Sequence, residues 1–413
     1  MDLKNLESLL ADEEKCCNKV HALRKNFCPV LPKYVDVTDK KHALERGMSI
    51  VHDVMNNFKY MGLDVSNIKP GHGAGHIARD YVNAAVLLHK LGVSPKDALI
   101  GFVGGVLHDI GCAVVERYRE SQTTIRHAEA GAFLVAGALR EIKASMNDAE
   151  RIFITYSVAA HTHYLAPFDV KCADGVVRHV EPYMDMDRDG KPILGVWLPR
   201  WIDRLDCNGP TFIGRHYLTL VESRKDFDGK QFYDITFGEH MRPITRAGEE
   251  IRASGGKRTM LEHLKMFADS HNNDSVYGRH DFGRYVTLRD NYKERLFRII
   301  ESAKSDRTFT GEQEDKVVFA WNMYLAENIE PTKLTSGATE QLTGMFKTLD
   351  DKTRRAWCNV FLAAMKEYQS WSAGVLKGLC SLSGSELALP TVTDDVRKVI
   401  APYHGWVDIV NEF

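Results

Sequence analysis

The 413-residue chain is close to neutral, with 54 basic and 56 acidic residues, and 44% of it is apolar. That balance gives no electrostatic case for nucleic acid or an anionic membrane as a main partner. The length exceeds what one growing core supports, so two or three subdomains are expected.

The first helix carries Leu3, Leu6, Leu9 and Leu10 on one face. Its acidic Glu7, Asp12, Glu13 and Glu14 argue against a signal peptide. A second helix is predicted from Thr38-Asp39 through Met48, Val51, Val54 and Met55 to Gly62. Three glycines between Ile68 and His76 break the pattern, and a helix from about His76 to Leu91 follows. Ser94-Pro95-Lys96-Asp97 supplies an N-cap, a proline at the first helical position and an acidic third position. The helix it opens is predicted to end at His108-Asp109, just before Gly111. Another helix spans about Arg126 to Ile142, and Asn147-Asp148 caps one that reaches His161. The longest apolar runs singled out, 83–88 and 152–160, are far too short to cross a bilayer.

Between Tyr164 and Val196 the helical period stops, and Asp174-Gly175 and Asp189-Gly190 read as turns between short strands. Asp228-Gly229 reads the same way further on. Trp197 to Asp206 returns to helix. Apolar spacing predicts more helix in 260–269, 288–303, 313–327 and 354–379. The fold class expected is therefore mainly α with a few short β-hairpins. Eight cysteines without a CxxC pair fit reduced thiols and a cytoplasmic location. Asp185 to Val196 begins like a calcium loop but lacks the closing glutamate, and Gly255-Gly256-Lys257-Arg258 lacks phosphate-loop spacing.

Seven of the 17 histidines fall between positions 72 and 163. His108-Asp109 closes an apolar run, so both side chains can enter one pocket. His76, His127 and His161 stand at the ends of other predicted helices, and Asp203 adds a late carboxylate. Imidazole nitrogen and carboxylate oxygen are the usual ligands of divalent ions. Asp80, one turn after His76, is placed to hold the other imidazole nitrogen from behind. Cys112, three residues after Asp109, reads first as a small core residue, with thiolate ligation the sharper alternative. His72 competes weakly with His76.

Leu-His108-Asp109-Ile-Gly and Trp-Ile-Asp203-Arg-Leu-Asp, read with His76, resemble the HD superfamily of metal-dependent phosphohydrolases. His127 in Arg-His-Ala-Glu and His161 in Ala-His-Thr-His resemble the extra histidines of its two-metal branch. The resemblance implies an HD-type helical core over 70–215 with a hairpin insertion near 164–196. A helical extension over 1–69 and a mainly helical region over 216–413 would flank it. It implies a first metal on His76, His108, Asp109 and Asp203, a second on His127 and His161, and Asp109 as the bridge. No Gly-Tyr-Pro follows His161-Thr-His163-Tyr, and Cys112 stands where the cyclic-dinucleotide branch has lysine, so that branch does not fit.

The activity implied is hydrolysis of a nucleotide-like or other small phosphate ester by hydroxide at a dinuclear centre. The ions would be two divalent metals among Mn, Fe, Mg, Zn and Ni. His163 is expected as a further ligand, phosphate contact or proton donor, and Arg126 and Arg204 as phosphate contacts. Relatives such as the inositol oxygenases use a similar ligand set for two irons, so an oxygenase cleaving a C–C or C–P bond is the alternative. A nucleotide-binding regulatory module is a third reading. For 216–413, core support, substrate capping and homodimer formation are all compatible with its amphipathic helices.

Overall fold

The chain was examined as a computed structural model that describes residues 8, 40–60, 62–64, 68, 70–115, 127–142, 146–161, 168–171, 175–180, 183, 194–215, 283–329, 336–383 and 404–413. These residues are mainly helical, as predicted, with one two-stranded antiparallel sheet among them. The chain divides into two compact units, Met1–Asp203 with Leu379–Val396, and Arg204–Gly378 with Arg397–Phe413. The predicted helix at 260–269, the turns at Asp189-Gly190 and Asp228-Gly229 and the loop at 255–258 lie outside the described residues, as do residues 3–7 and 9–10 of the first predicted helix and residues 185–193 of the calcium-like loop.

In the first unit, α1 (Lys40–Tyr60), α2 (Ala74–Leu91), α3 (Pro95–Leu107), α4 (Cys112–Val115), α5 (His127–Glu141) and α6 (Asp148–Ala160) precede the hairpin. α2 stops at Gly92, whose φ of 67° is left-handed and open to glycine at little steric cost. Ser94 accepts from the Asp97 amide at 3.2 Å and starts α3 as predicted. The Asn147–Glu150 capping box starts α6. Glu150 also takes both Arg46 guanidinium nitrogens at 2.6 Å, which ties α1 to the start of α6 through a half-exposed, bidentate pair. The short helix α4 was not foreseen, because four residues carry no readable period.

α3 forms the centre of this unit and is buried from Ala98 to Leu107. The stretch Pro95–Val115 is long and apolar enough to cross a membrane, which corrects the expectation that no stretch was. Its most apolar window is 94% buried inside the protein, because α1, α2 and α6 pack around it. Close approach depends on small residues. A Cβ on Gly104 would lie 2.0 Å from Ser157 Oγ of α6, and one on Gly105 would lie 2.5 Å from Ile202 Cδ1.

Strands β1 (Phe168–Lys171) and β2 (Val177–Val180) pair from Phe168↔Val180 to Lys171↔Val177, with Gly175 at φ 78° in the predicted turn. Helix α7 (Leu194–Asn208) begins three residues before the predicted start and carries Pro199 internally. The Asp97 carboxylate accepts from the Gly195 amide at 2.9 Å, so the start of α7 is tied to the start of α3.

The second unit contains α8 (Gly283–Glu301), α9 (Gly311–Tyr324), a π-turn at Leu325–Ile329, α10 (Ser336–Phe346), α11 (Asp351–Ser383) and α12 (His404–Asn411). Its core is aromatic. Trp321 stacks on Phe361 at 4.4 Å, Tyr324 meets Tyr368 and Trp406 edge-on, and Trp371 donates to Tyr292 Oη at 2.8 Å. The helices at α10 and α12 were not predicted.

Gly104→Ala is expected to lower stability by about 1–3 kcal/mol, because the added methyl has no room beside Ser157. Gly344→Ala, with open space around its Cβ inside α10, should raise it by about 0.5–1 kcal/mol. Denaturant unfolding of both variants checks the pair.

Candidate metal centre

Each side chain of the centre is delivered by a helix end or first turn. His76 is the third residue of α2, with Asp80 one turn later, and both are fully buried. His108 is the C-cap of α3, and Asp109 follows it. His127 opens α5, His161 is the C-cap of α6, and Asp203 lies on α7. Gly111 makes the convergence sterically feasible: a Cβ there would fall 1.9 Å from the His127 carbonyl oxygen and 2.4 Å from the Gly131 amide nitrogen.

The ligand atoms form two groups that share one carboxylate. His76 Nε2 lies 3.3 Å from His108 Nε2, 2.9 Å from Asp80 Oδ2, 3.3 Å from Asp109 Oδ2 and 3.4 Å from Asp203 Oδ1. His108 Nε2 lies 3.2 Å from the same Asp109 Oδ2. The other oxygen, Asp109 Oδ1, lies 3.4 Å from His127 Nε2 and 3.6 Å from His161 Nε2, and those two nitrogens are 3.1 Å apart. Donors bound about 2.0–2.2 Å from one ion stand about 3.0–3.5 Å from each other at tetrahedral or octahedral angles. The observed separations match that spacing.

Protonation explains why such an arrangement needs a cation. His108 Nδ1 donates to the Gly105 carbonyl at 2.7 Å, and His161 Nδ1 donates to the Val158 carbonyl at 2.6 Å. Carbonyls only accept, so these tautomers follow from their partners. In the neutral rings Nε2 is then a bare lone pair, aimed at other lone pairs and at carboxylates. Asp109 Oδ2 is buried and receives no aligned hydrogen bond among the described residues, although two ring nitrogens flank it. A divalent ion or a proton relieves this crowding of acceptors.

Without metal, burial pushes the His108 imidazolium down, but the Asp109 carboxylate, then Asp203 and Asp80, outweigh it and hold its pKa up at about 9. Burial works against the Asp109 carboxylate, yet His108 and His72 hold it well below the ordinary range. His127 is pushed down by burial against its neighbours, with Asp109 opposing and His161, His72 and His108 reinforcing the shift.

The structure brings together His76, His108, Asp109, His127, His161 and Asp203, all six ligands predicted from the chain. Asp80 corrects one expectation. It meets the same Nε2 that faces the other ligands rather than the opposite ring nitrogen, so it belongs to the ligand group itself. Sequence reasoning saw its helical spacing from His76 but could not see which side of the ring it met. His72 ends a 3-10 turn, Pro70–His72, with its ring 6.4 Å from His76 and 6.0 Å from His127. Cys112 joins Asp109 and His127, their ligand atoms lying within 4.8 Å of one another. Arg126 and His163 lie outside the described residues. Arg204 follows Asp203 on α7 and is buried. Arg200 is also buried, its guanidinium 5.5 Å from the Trp197 ring centre.

Tyr183, in the stretch after His161, packs on α5 and α6. Tyr183 Oη donates to Glu129 Oε1 at 3.1 Å, two residues along α5 from His127, and its ring meets Tyr156 of α6 edge-on. His127 and Asp203 are the open members of the cluster, with side chains 29% and 26% exposed against 5% or less for the other ligand residues.

No protein-family model, curated protein or solved structure matches this chain. What the chain does must be read from these side chains, which can hold metal.

The protonation pattern has a consequence in solution. Folded metal-free protein retains a proton on His108 up to about pH 9 that an unfolded histidine loses near 6.5, so stability from this group is lost as pH rises between those values. The lowered His127 acts in the opposite window, its stability falling away as pH drops below 6.5. Chelator-treated protein is therefore expected to melt highest near pH 6–7. Metal binding at neutral pH should release a proton, measured by calorimetry in buffers of different ionisation enthalpy.

Proposed function

We propose that the chain is a metal-dependent phosphohydrolase or phosphodiesterase acting on a nucleotide-like or other small phosphate ester, in keeping with its sequence resemblance to the HD superfamily. The observation that carries this reading is the division of Asp109. Its two oxygens face different imidazole pairs, Oδ2 toward His76 and His108 and Oδ1 toward His127 and His161. A carboxylate so placed could hold one ion at each oxygen, and the separations within each group suit a coordination sphere. Two divalent ions bound there would lower the pKa of water and neutralise charge developing on a phosphoryl oxygen.

The protein's own residues supply position and access. Gly105 and Val158 carbonyls lock the His108 and His161 rings so that Nε2 faces inward without reorganisation. Burial of His76, Asp80 and Asp109 keeps bulk water from that side. Substrate approaches from the side of His127 and Asp203, where side chains retain exposure. His72 stands close to His127 and can donate to a substrate oxygen there. Tyr183, which follows the hairpin, is held to Glu129 of the helix that His127 opens.

The test pairs metal content of protein purified without chelator with turnover of a generic phosphodiester and phosphomonoester. Two divalent ions per chain and phosphate release are expected. Asp109→Ala should reduce turnover by at least about a thousandfold and lower the bound metal. Two irons with a mixed-valence signal and no phosphate release would instead indicate an oxygenase. Nucleotide binding without turnover under any metal would indicate a regulatory module.

A further inference from the structure

The second ligand group holds a residue of a different chemical kind. Cys112 is 5% exposed, forms no disulfide and opens α4 three residues after Asp109. The chain between them is wound tightly: Ile110 donates to the Leu107 carbonyl, Cys112 to that of Asp109 at 2.9 Å, and Ala113 to that of Ile110. These are i to i+3 bonds, the 3-10 pattern in which side chains three apart eclipse. Asp109 and Cys112 therefore stand in line on one side of the turn. Gly111, between them, abuts the His127 carbonyl so closely that no side chain fits, which draws the turn against the start of α5. The result is an Asp109 oxygen, the Cys112 sulfur and a His127 nitrogen all within 4.8 Å of one another. Asp109, the shared member, is 2% exposed and turns Oδ1 toward this group, 3.4 Å from His127 Nε2 and 3.6 Å from His161 Nε2.

We infer that Cys112 is a metal ligand of the second group, alongside His127, His161 and the bridging Asp109. This rests on the two-ion reading of the centre. Binding forms a sulfur–metal bond and breaks the S–H bond, the proton leaving to solvent. The two ion positions then differ in kind. The first is rich in oxygen, from Asp80, Asp109 and Asp203, and suits a harder ion such as manganese or magnesium. The second combines imidazole with thiolate and selects zinc, cobalt or ferrous iron. Three carboxylates and one thiolate also balance the charge of two divalent ions, so the loaded centre is neutral before substrate arrives.

Cobalt titration of the metal-free full-length protein tests this. Wild-type protein is expected to bind two equivalents, one of them raising a near-ultraviolet sulfur-to-cobalt charge-transfer band. Cys112→Ser should abolish the band and weaken that equivalent by at least about tenfold, while Cys207→Ser leaves both unchanged. Cys112→Ala provides a second variant, and circular dichroism reports its folding. Two equivalents bound by wild type with no charge-transfer band, or a band that survives in Cys112→Ser, would overturn ligation by Cys112 and leave the two-ion centre standing. Failure of wild type to bind cobalt at all would overturn both.

Discussion

A buried carboxylate shared between two pairs of imidazoles is the constraint around which the first unit is arranged. Asp109 is 2% exposed and has one oxygen against His76 and His108, the other against His127 and His161. A buried anion is tolerated only with positive charge or hydrogen bonds close by. Two of the surrounding imidazoles, His108 and His161, are turned inward by backbone carbonyls behind them, at Gly105 and Val158. Four helices must therefore end or begin within a few ångströms of one carboxylate, and a cation or proton must complete the charge.

That requirement explains the small residues near the centre. Gly104 and Gly105 let α3 approach α6 and α7, and Gly111 lets the turn after α3 press on the first residue of α5. None of these positions has room for a methyl group without displacing a neighbour. The apolar stretch Pro95–Val115 owes its character to the same cause, since it is packed on its flanks by protein and carries the two central ligands at its bend. The Arg46–Glu150 pair and the Asp97–Gly195 bond hold α1, α6, α3 and α7 at their far ends from the ligands. These ties lie in the first turns of α3 and α6, whose other ends are capped by His108 and His161.

The two groups around Asp109 each combine buried and partly exposed side chains. His76, Asp80 and His108 are sealed, whereas His127 and Asp203 keep part of their surface open. Each group thus keeps one side chain, Asp203 in the first and His127 in the second, in reach of solvent. Tyr183, buried and bonded to Glu129, ties its own segment to α5.

From sequence alone the mainly helical fold, the caps at Ser94 and Asn147, the turn before β2 and the convergence of six His and Asp side chains were legible, because each depends on local spacing or on residue chemistry in a recognisable order. Short elements such as α4 were not, since four residues contain no period to read. The apolar stretch 95–115 has no clear sequence signature because glycines and the His108-Asp109 pair interrupt its pattern, although the folded chain buries it from Ala98 to Val114. Only tertiary structure decided that Asp80 shares the inward nitrogen of His76 and that Cys112 stands beside His127. Helical spacing specifies that two residues share a face, but the side of a ring that a carboxylate meets depends on how α2 and α3 pack. Likewise, the meeting of Cys112 with a histidine 15 positions later depends on a glycine contact between a turn and a helix start, which no local pattern encodes.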